Sequence, residues 1–120
     1  MRVLVIEHHP LMARALKQGL EEEGFAVTLA LTREEGDCHA RDPHFDAVIL
    51  DPGHGQEDPP SLLRRWRRQG FHTPVLVLTA RSSLPDDTAG PEGRADAYLT
   101  KPFPVEELFS WLLALARRRD

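Results

Sequence analysis

The sequence predicts an α/β fold: one parallel sheet wound on both faces by helices. Three observations predict it. Five short apolar runs, Val3–Ile6, Ala26–Leu29, Ala47–Leu50, Val75–Leu78 and Ala97–Leu99, alternate with amphipathic stretches, the pattern of a parallel sheet with helical crossovers. The first run ends at Glu7-His8-His9, the third at Asp51, the fourth at Thr79 and the fifth at Lys101. Polar residues are thus collected at the carboxyl ends of the strands, where a doubly wound sheet has its crevice. Finally, 120 residues suit one domain with a single core, residues 1–120 being read as one unit.

Each element has a local reason. After the first run, Pro10 suits a first helical turn, and Leu11, Met12, Ala15, Leu16 and Leu20 make a stripe expected to be buried. Gly24 ends that helix. Thr32 with Glu35 forms a capping box for a short second helix that stops before Pro43. The third helix is expected over Ser61–Gln69, preceded by Pro59-Pro60 and ended by Gly70. A fourth should lie between Ser82 and Arg94, where Pro85, Gly90, Pro91 and Gly93 work against it. One interior proline costs roughly 3 kcal/mol, so a short, broken or mobile segment is expected. The last helix runs from about Val105 to Arg118, with Leu108, Phe109, Leu112 and Leu115 at core-facing spacing. Strict alternation of this kind is that of the flavodoxin-like doubly wound (βα)5 sandwich, strand order 2-1-3-4-5.

Composition narrows the function classes. Hydrophobic content of 41% and charged content of 28% are those of a globular protein, and a net charge of −4 leaves no nucleic-acid footprint. The basic stretches Arg64-Arg65-Trp66-Arg67-Arg68 and Arg117-Arg118-Arg119 read as a solvated helix face and as the start of a linker over 117–120. Cys38, the one cysteine, reads as a passive thiol. With no apolar run of about 18 residues and no charged leader, a soluble, cytoplasmic protein without membrane contact is expected. No nucleophile–base pair or phosphate-binding glycine loop appears, so the expectation is a regulatory module and not an enzyme.

Glu7-His8-His9-Pro10, Leu50-Asp51, Thr79-Ala80 and Lys101-Pro102, in this order and spacing, resemble the response-regulator receiver (CheY-like) domain, closest to the OmpR/PhoB-type subclass. Ala13–Gly24, Thr73–Ala80 and Ala95–Leu108 read almost as a family consensus. The resemblance implies that Asp51 is the phosphoacceptor and that Lys101 contacts the phosphoryl group, followed by a cis bond to Pro102. It implies further that Thr79 is the switch hydroxyl, Tyr98 the aromatic switch residue, and Ala80 the opening for phosphodonors.

His8 and His9 occupy the positions of the acidic pair that holds magnesium in receivers, and Gly53 falls where a backbone carbonyl serves the metal. Magnesium prefers oxygen ligands in octahedral array and is served badly by imidazole. Lost magnesium binding, no cofactor and very slow phosphorylation are therefore expected. Glu7 is set aside as a substitute acid, because relatives of this subclass already carry glutamate there. Three readings of the pocket stand side by side. It is vestigial, with Asp51 paired to Lys101; or His8, His9, His54 and Asp51 bind zinc; or protonation of His8 or His9 makes a switch.

In this subclass dimers form through the fourth helix, fifth strand and last helix, a face laced with charge pairs. Here Asp96 is retained, Ala97 stands where a second aspartate is common, and Trp111 and Leu113 stand where arginines are common. The expectation is an atypical receiver in two-component, phosphorelay signal transduction and transcription regulation, acting through a phosphorylation-independent homodimer. The alternatives are a receiver still phosphorylated on Asp51 by a histidine kinase, and a metal-, pH- or ligand-sensing receiver. DNA would be contacted only by a winged-helix domain outside these residues.

Overall fold

The computed structural model describes residues 1–52, 58–79 and 92–119. Its elements are β1 (Arg2–Ile6), α1 (Pro10–Glu22), β2 (Ala26–Ala30), α2 (Arg33–Ala40), β3 (Ala47–Leu50), α3 (Pro59–Arg68), β4 (Val75–Thr79), β5 (Ala97–Thr100) and α4 (Val105–Arg119). All strand pairings are parallel, in the order β2-β1-β3-β4-β5, as the alternation predicts. Residues 80–91, which hold most of the segment expected to form a weak fourth helix, lie outside the described residues.

A sheet covered on both faces needs strands that are nearly continuous apolar runs, and the inner strands are: β3 is apolar throughout, β1 after Arg2 and β4 up to Thr79. Successive side chains go to opposite faces. Val3, Val5, Ile49, Leu76, Leu78 and Leu99 join Leu20 of α1 and Leu108, Leu112 and Leu115 of α4 in one core. Leu4, Ile6, Val48, Leu50, Val75 and Val77 join Leu62, Leu63 and Trp66 of α3 in the other. Gly36 lets α2 approach the second face: a Cβ there would meet Ile6 Cδ1 at 2.6 Å. Gly24 and Gly70, at φ of +93° and +90°, end α1 and α3 as expected. The Thr32 hydroxyl accepts the Glu35 N–H at 3.1 Å, while the Glu35 carboxylate accepts that of Leu31.

Three expectations are corrected. The stripe on α1 is buried only at its far end: Leu20 is enclosed and Leu16 half-buried, but Leu11 and Met12 are 72% and 45% exposed and Ala15 is also exposed. Ala13 packs in their place, because the first turn of α1 stands beside the crevice and not on the sheet. Helix α3 begins at Pro59, not Ser61, both prolines sitting in the first turn where a missing N–H costs nothing. Its arginines are also more than a solvated face. Arg65 pairs with Asp37, which also accepts the buried Trp66 indole N–H at 2.8 Å. Arg67 donates to the carbonyls of Phe71 and Thr73 and pairs with Asp96. Cations at a helix carboxyl end are favoured by its exposed carbonyls. Among the described residues no helix is long and apolar enough to cross a membrane.

Candidate functional site

The backbone ladder continues one rung past the strands, and those extra rungs build the site. Glu7 N–H donates to Ala30, Asp51 N–H to Ile6 and Lys101 N–H to Thr79, at 2.9–3.0 Å. With Ile6 in register with Leu50 and Thr79 with Thr100, Glu7, Asp51, Thr79 and Lys101 are pinned around one crevice. Asp51 is 8% and Thr79 3% exposed. The Lys101 ammonium donates to Asp51 Oδ2, and the Lys101–Pro102 peptide is cis.

Glu7, set aside on motif grounds, stands beside Asp51. It is 2% exposed, and its Oε1 accepts the His9 backbone N–H at 3.0 Å. Oε2 is buried with no hydrogen-bond partner among the described residues. Burial first, and the facing Asp51 carboxyl second, raise the Glu7 pKa to about 7. Two ionised carboxylates cannot donate to each other, whereas one shared proton supplies the missing bond. Between about pH 4.5 and 7 the folded protein therefore keeps a proton that the unfolded chain has released, so this group's contribution to stability falls as pH rises through that window.

The two histidines part company. His8 lies with its Nδ1 3.5 Å from Glu7 Oε1, its side chain about half exposed. Ligand atoms of Glu7, His8 and Asp51 all lie within 4.8 Å of one another. His9 instead caps α1, its Nδ1 accepting the Met12 N–H at 3.4 Å, while it still lines the crevice with Glu7, His8, Asp51 and Lys101. His54 and Gly53 lie outside the described residues, as does Ala80. The signal for Glu7 was its place immediately after an apolar run, which keeps it in the ladder and under the fold. Motif comparison alone does not carry that information.

Beside the polar cluster, a cleft of about 610 Å³ opens between α1 and α4, lined by Met12, Leu16, Leu78, Phe103, Val105 and Phe109, with Asp51 and Lys101 at one end. Among the residues expected to act as switches or at an interface, half-buried Tyr98 packs against the α3-side core, and its hydroxyl accepts the Ala95 N–H at 2.7 Å. Asp96 is turned to the fold: its carboxylate accepts from Arg67 and from the Val75 N–H. Ala97 is buried. Trp111 and Leu113 are 38% and 49% exposed on α4. Cys38 is exposed.

What the crevice collects, an aspartate held by a lysine with a threonine at the next strand end, has close counterparts. The family model for the response regulator receiver domain matches residues 3–112. The transcriptional regulatory protein PmrA of Pectobacterium parmentieri is 40% identical over 120 residues, all of this chain and 54% of that protein. The virulence transcriptional regulatory protein PhoP of Salmonella typhimurium is 42% identical with the same coverage. The chain therefore spans about half the length of these relatives. The receiver domain of the Francisella response regulator 1452 superposes with a TM-score of 0.86 at 31% identity, covering 99% of this chain and 98% of that one. This chain belongs to the response regulator receiver family.

Proposed function

We propose that this receiver is an atypical one: it signals through its dimerisation state and not through an aspartyl phosphate on Asp51. The observation that carries the reading is the donor set around Asp51. Phosphoryl transfer needs cations to neutralise the charge that develops on the transferred group. Magnesium would supply that charge in a typical receiver, held by acidic oxygens. Here the crevice offers the Asp51 carboxylate already engaged by Lys101, a buried Glu7 whose pKa is raised, and the His8 imidazole. Magnesium keeps near-ideal octahedral oxygen coordination and gives up its waters reluctantly, so this set fits it poorly. Without the ion, Lys101 can still steady an anion near Asp51, but one ammonium is a weak substitute for a divalent cation.

The output would then reside on α4. Trp111 and Leu113 present exposed apolar surface where the subclass commonly carries arginine, and an exposed tryptophan is a natural interface anchor. The natural partner is a second copy of the same face, and a DNA-binding domain beyond these residues would read the resulting dimer, as the transcriptional relatives suggest.

Thermal unfolding with beryllofluoride, a mimic of the phosphoryl group, tests the reading. No upward shift with beryllofluoride and magnesium together is expected. A clear shift requiring both would instead make Asp51 a working phosphoacceptor for a histidine kinase. The assembly of Asp51, Thr79 and Lys101 around one crevice speaks for that second reading.

A further inference from the structure

We infer that the cleft between α1 and α4 binds a small, uncharged and largely apolar ligand that carries one hydrogen-bond-accepting oxygen. The inference goes beyond the reading above and does not depend on it, since the cleft is there whether or not Asp51 accepts a phosphoryl group. Three observations carry it: the room, the lining and the single polar end.

The room comes from small residues on one face of α1. Ala15 and Gly19, a helical turn apart, both line the cleft and leave that stretch of α1 without a long side chain. Glycine is disfavoured inside a helix, and the packing does not call for it here. A Cβ on Gly19 would meet nothing within 4 Å, whereas one on Gly36 would strike Ile6. The space that Gly19 leaves therefore serves the cleft and not a close neighbour. The opening of about 610 Å³ lies in the usual range of small-molecule pockets, roughly 300–1,000 Å³.

The lining is apolar and only half covered. Leu16, Phe103 and Phe109 form its walls, each packed against the core on one side and partly open on the other. Met12 and Val105 stand 45% and 51% exposed at its mouth. A ligand seated among them would remove this apolar surface from water.

The polar end fixes the ligand's one polar group. Lys101 and Asp51 line the cleft there, and the Lys101 ammonium donates to Asp51. An ammonium carries three donors, and this side chain is 41% exposed, so it can serve a ligand oxygen as well. Asp51 already matches its charge. An ionic headgroup would lose water without gaining a net opposite charge, whereas a carbonyl or phenol oxygen needs only a donor.

Nile red tests the inference, being an uncharged fused aromatic dye with one ring carbonyl whose fluorescence rises in apolar surroundings. Titrated against the 120-residue chain, it is expected to saturate at one dye per chain. Gly19→Leu fills the cleft from α1 and introduces a better helix former. It should hold the melting temperature and weaken dye binding by about tenfold or more, because the leucine and the dye compete for one space. Ala15→Leu, at an exposed position, is a second filling variant that remains informative if the first fails to fold. Lys101→Met keeps an apolar chain and removes the donor, and should weaken binding roughly threefold to tenfold. Amide chemical shifts on dye binding should change around Leu16, Gly19 and Phe109. Binding that does not saturate, binding indifferent to both filling variants, or shifts gathered instead around Trp111 and Leu113 overturns the site. Indifference to Lys101→Met overturns the assignment of the ligand's oxygen.

Discussion

Single side chains in this domain are decided by what the backbone offers them within two or three residues. Asp42 is the clearest ionic case. Its carboxylate accepts the His44 N–H at 2.9 Å, meets the His44 ring at 2.8 Å and pairs with Arg2 at 3.2 Å. These contacts, the backbone bond foremost, lower its pKa to about 2. A depressed carboxyl pKa adds stability that is present above the unfolded value of 3.8 and is lost as pH falls through about 2. Asp42→Asn should therefore lower the melting temperature at pH 7, with the deficit shrinking between pH 4 and pH 2. A deficit constant across that range would show that shape, not charge, is what the aspartate supplies. The same local logic separates His8 from His9: one residue further along, the N–H groups of α1 begin to need acceptors, and His9 supplies one.

At the scale of elements, close approach matters more than intrinsic preference. Alanine favours a helix over glycine by about 1 kcal/mol, yet α2 carries Gly36 where it touches β1. The Cβ of an alanine there would lie 2.6 Å from Ile6 Cδ1 and 3.0 Å from Cγ1, and overpacking of this kind costs about 1–3 kcal/mol. Gly36→Ala should be destabilising in chemical denaturation. Ile6→Val, which removes Cδ1, should cost less in that background than in the wild type. Additive effects of the two changes would sink the explanation. Helix α3 shows the complementary case, since a stretch of arginines around one tryptophan is polar by composition. Trp66 nonetheless inserts into the core, and Asp37 and Asp96, from other elements, receive two of the guanidinium groups.

For the molecule as a whole, the proposed dimer turns on the exposed side of α4. Trp111 and Leu113 lie on its exposed side, while Leu108, Leu112 and Leu115 hold it to the sheet. Charge placed on the exposed side should therefore break association and spare the fold. Sedimentation of the wild type is expected to show a dimer at high micromolar concentration, and Trp111→Glu a monomer with a nearly unchanged melting temperature. A wild-type monomer under those conditions would remove the dimer from the account. Asp96 contributes less to such a face than its position in the sequence suggests, because Arg67 and the Val75 N–H hold its carboxylate within the domain.

The sequence by itself determined the sheet, its strand order and the crevice at its carboxyl end. Buried parallel strands must be nearly continuous apolar runs, and the polar residues that follow them have one place to converge. Glycines also determined where α1 and α3 end, whereas the division of the expected single core into one cluster on each face of the sheet came from the structure. Only the tertiary structure decided the membership of the site. Glu7, His8 and His9 are consecutive and look alike in a motif, but β2 extends the ladder to Glu7, solvent reaches His8, and α1 claims His9. It also decided that Leu11 and Met12 border the crevice instead of the core. Helical spacing says which residues share a face, but not where along the helix the sheet beneath it ends.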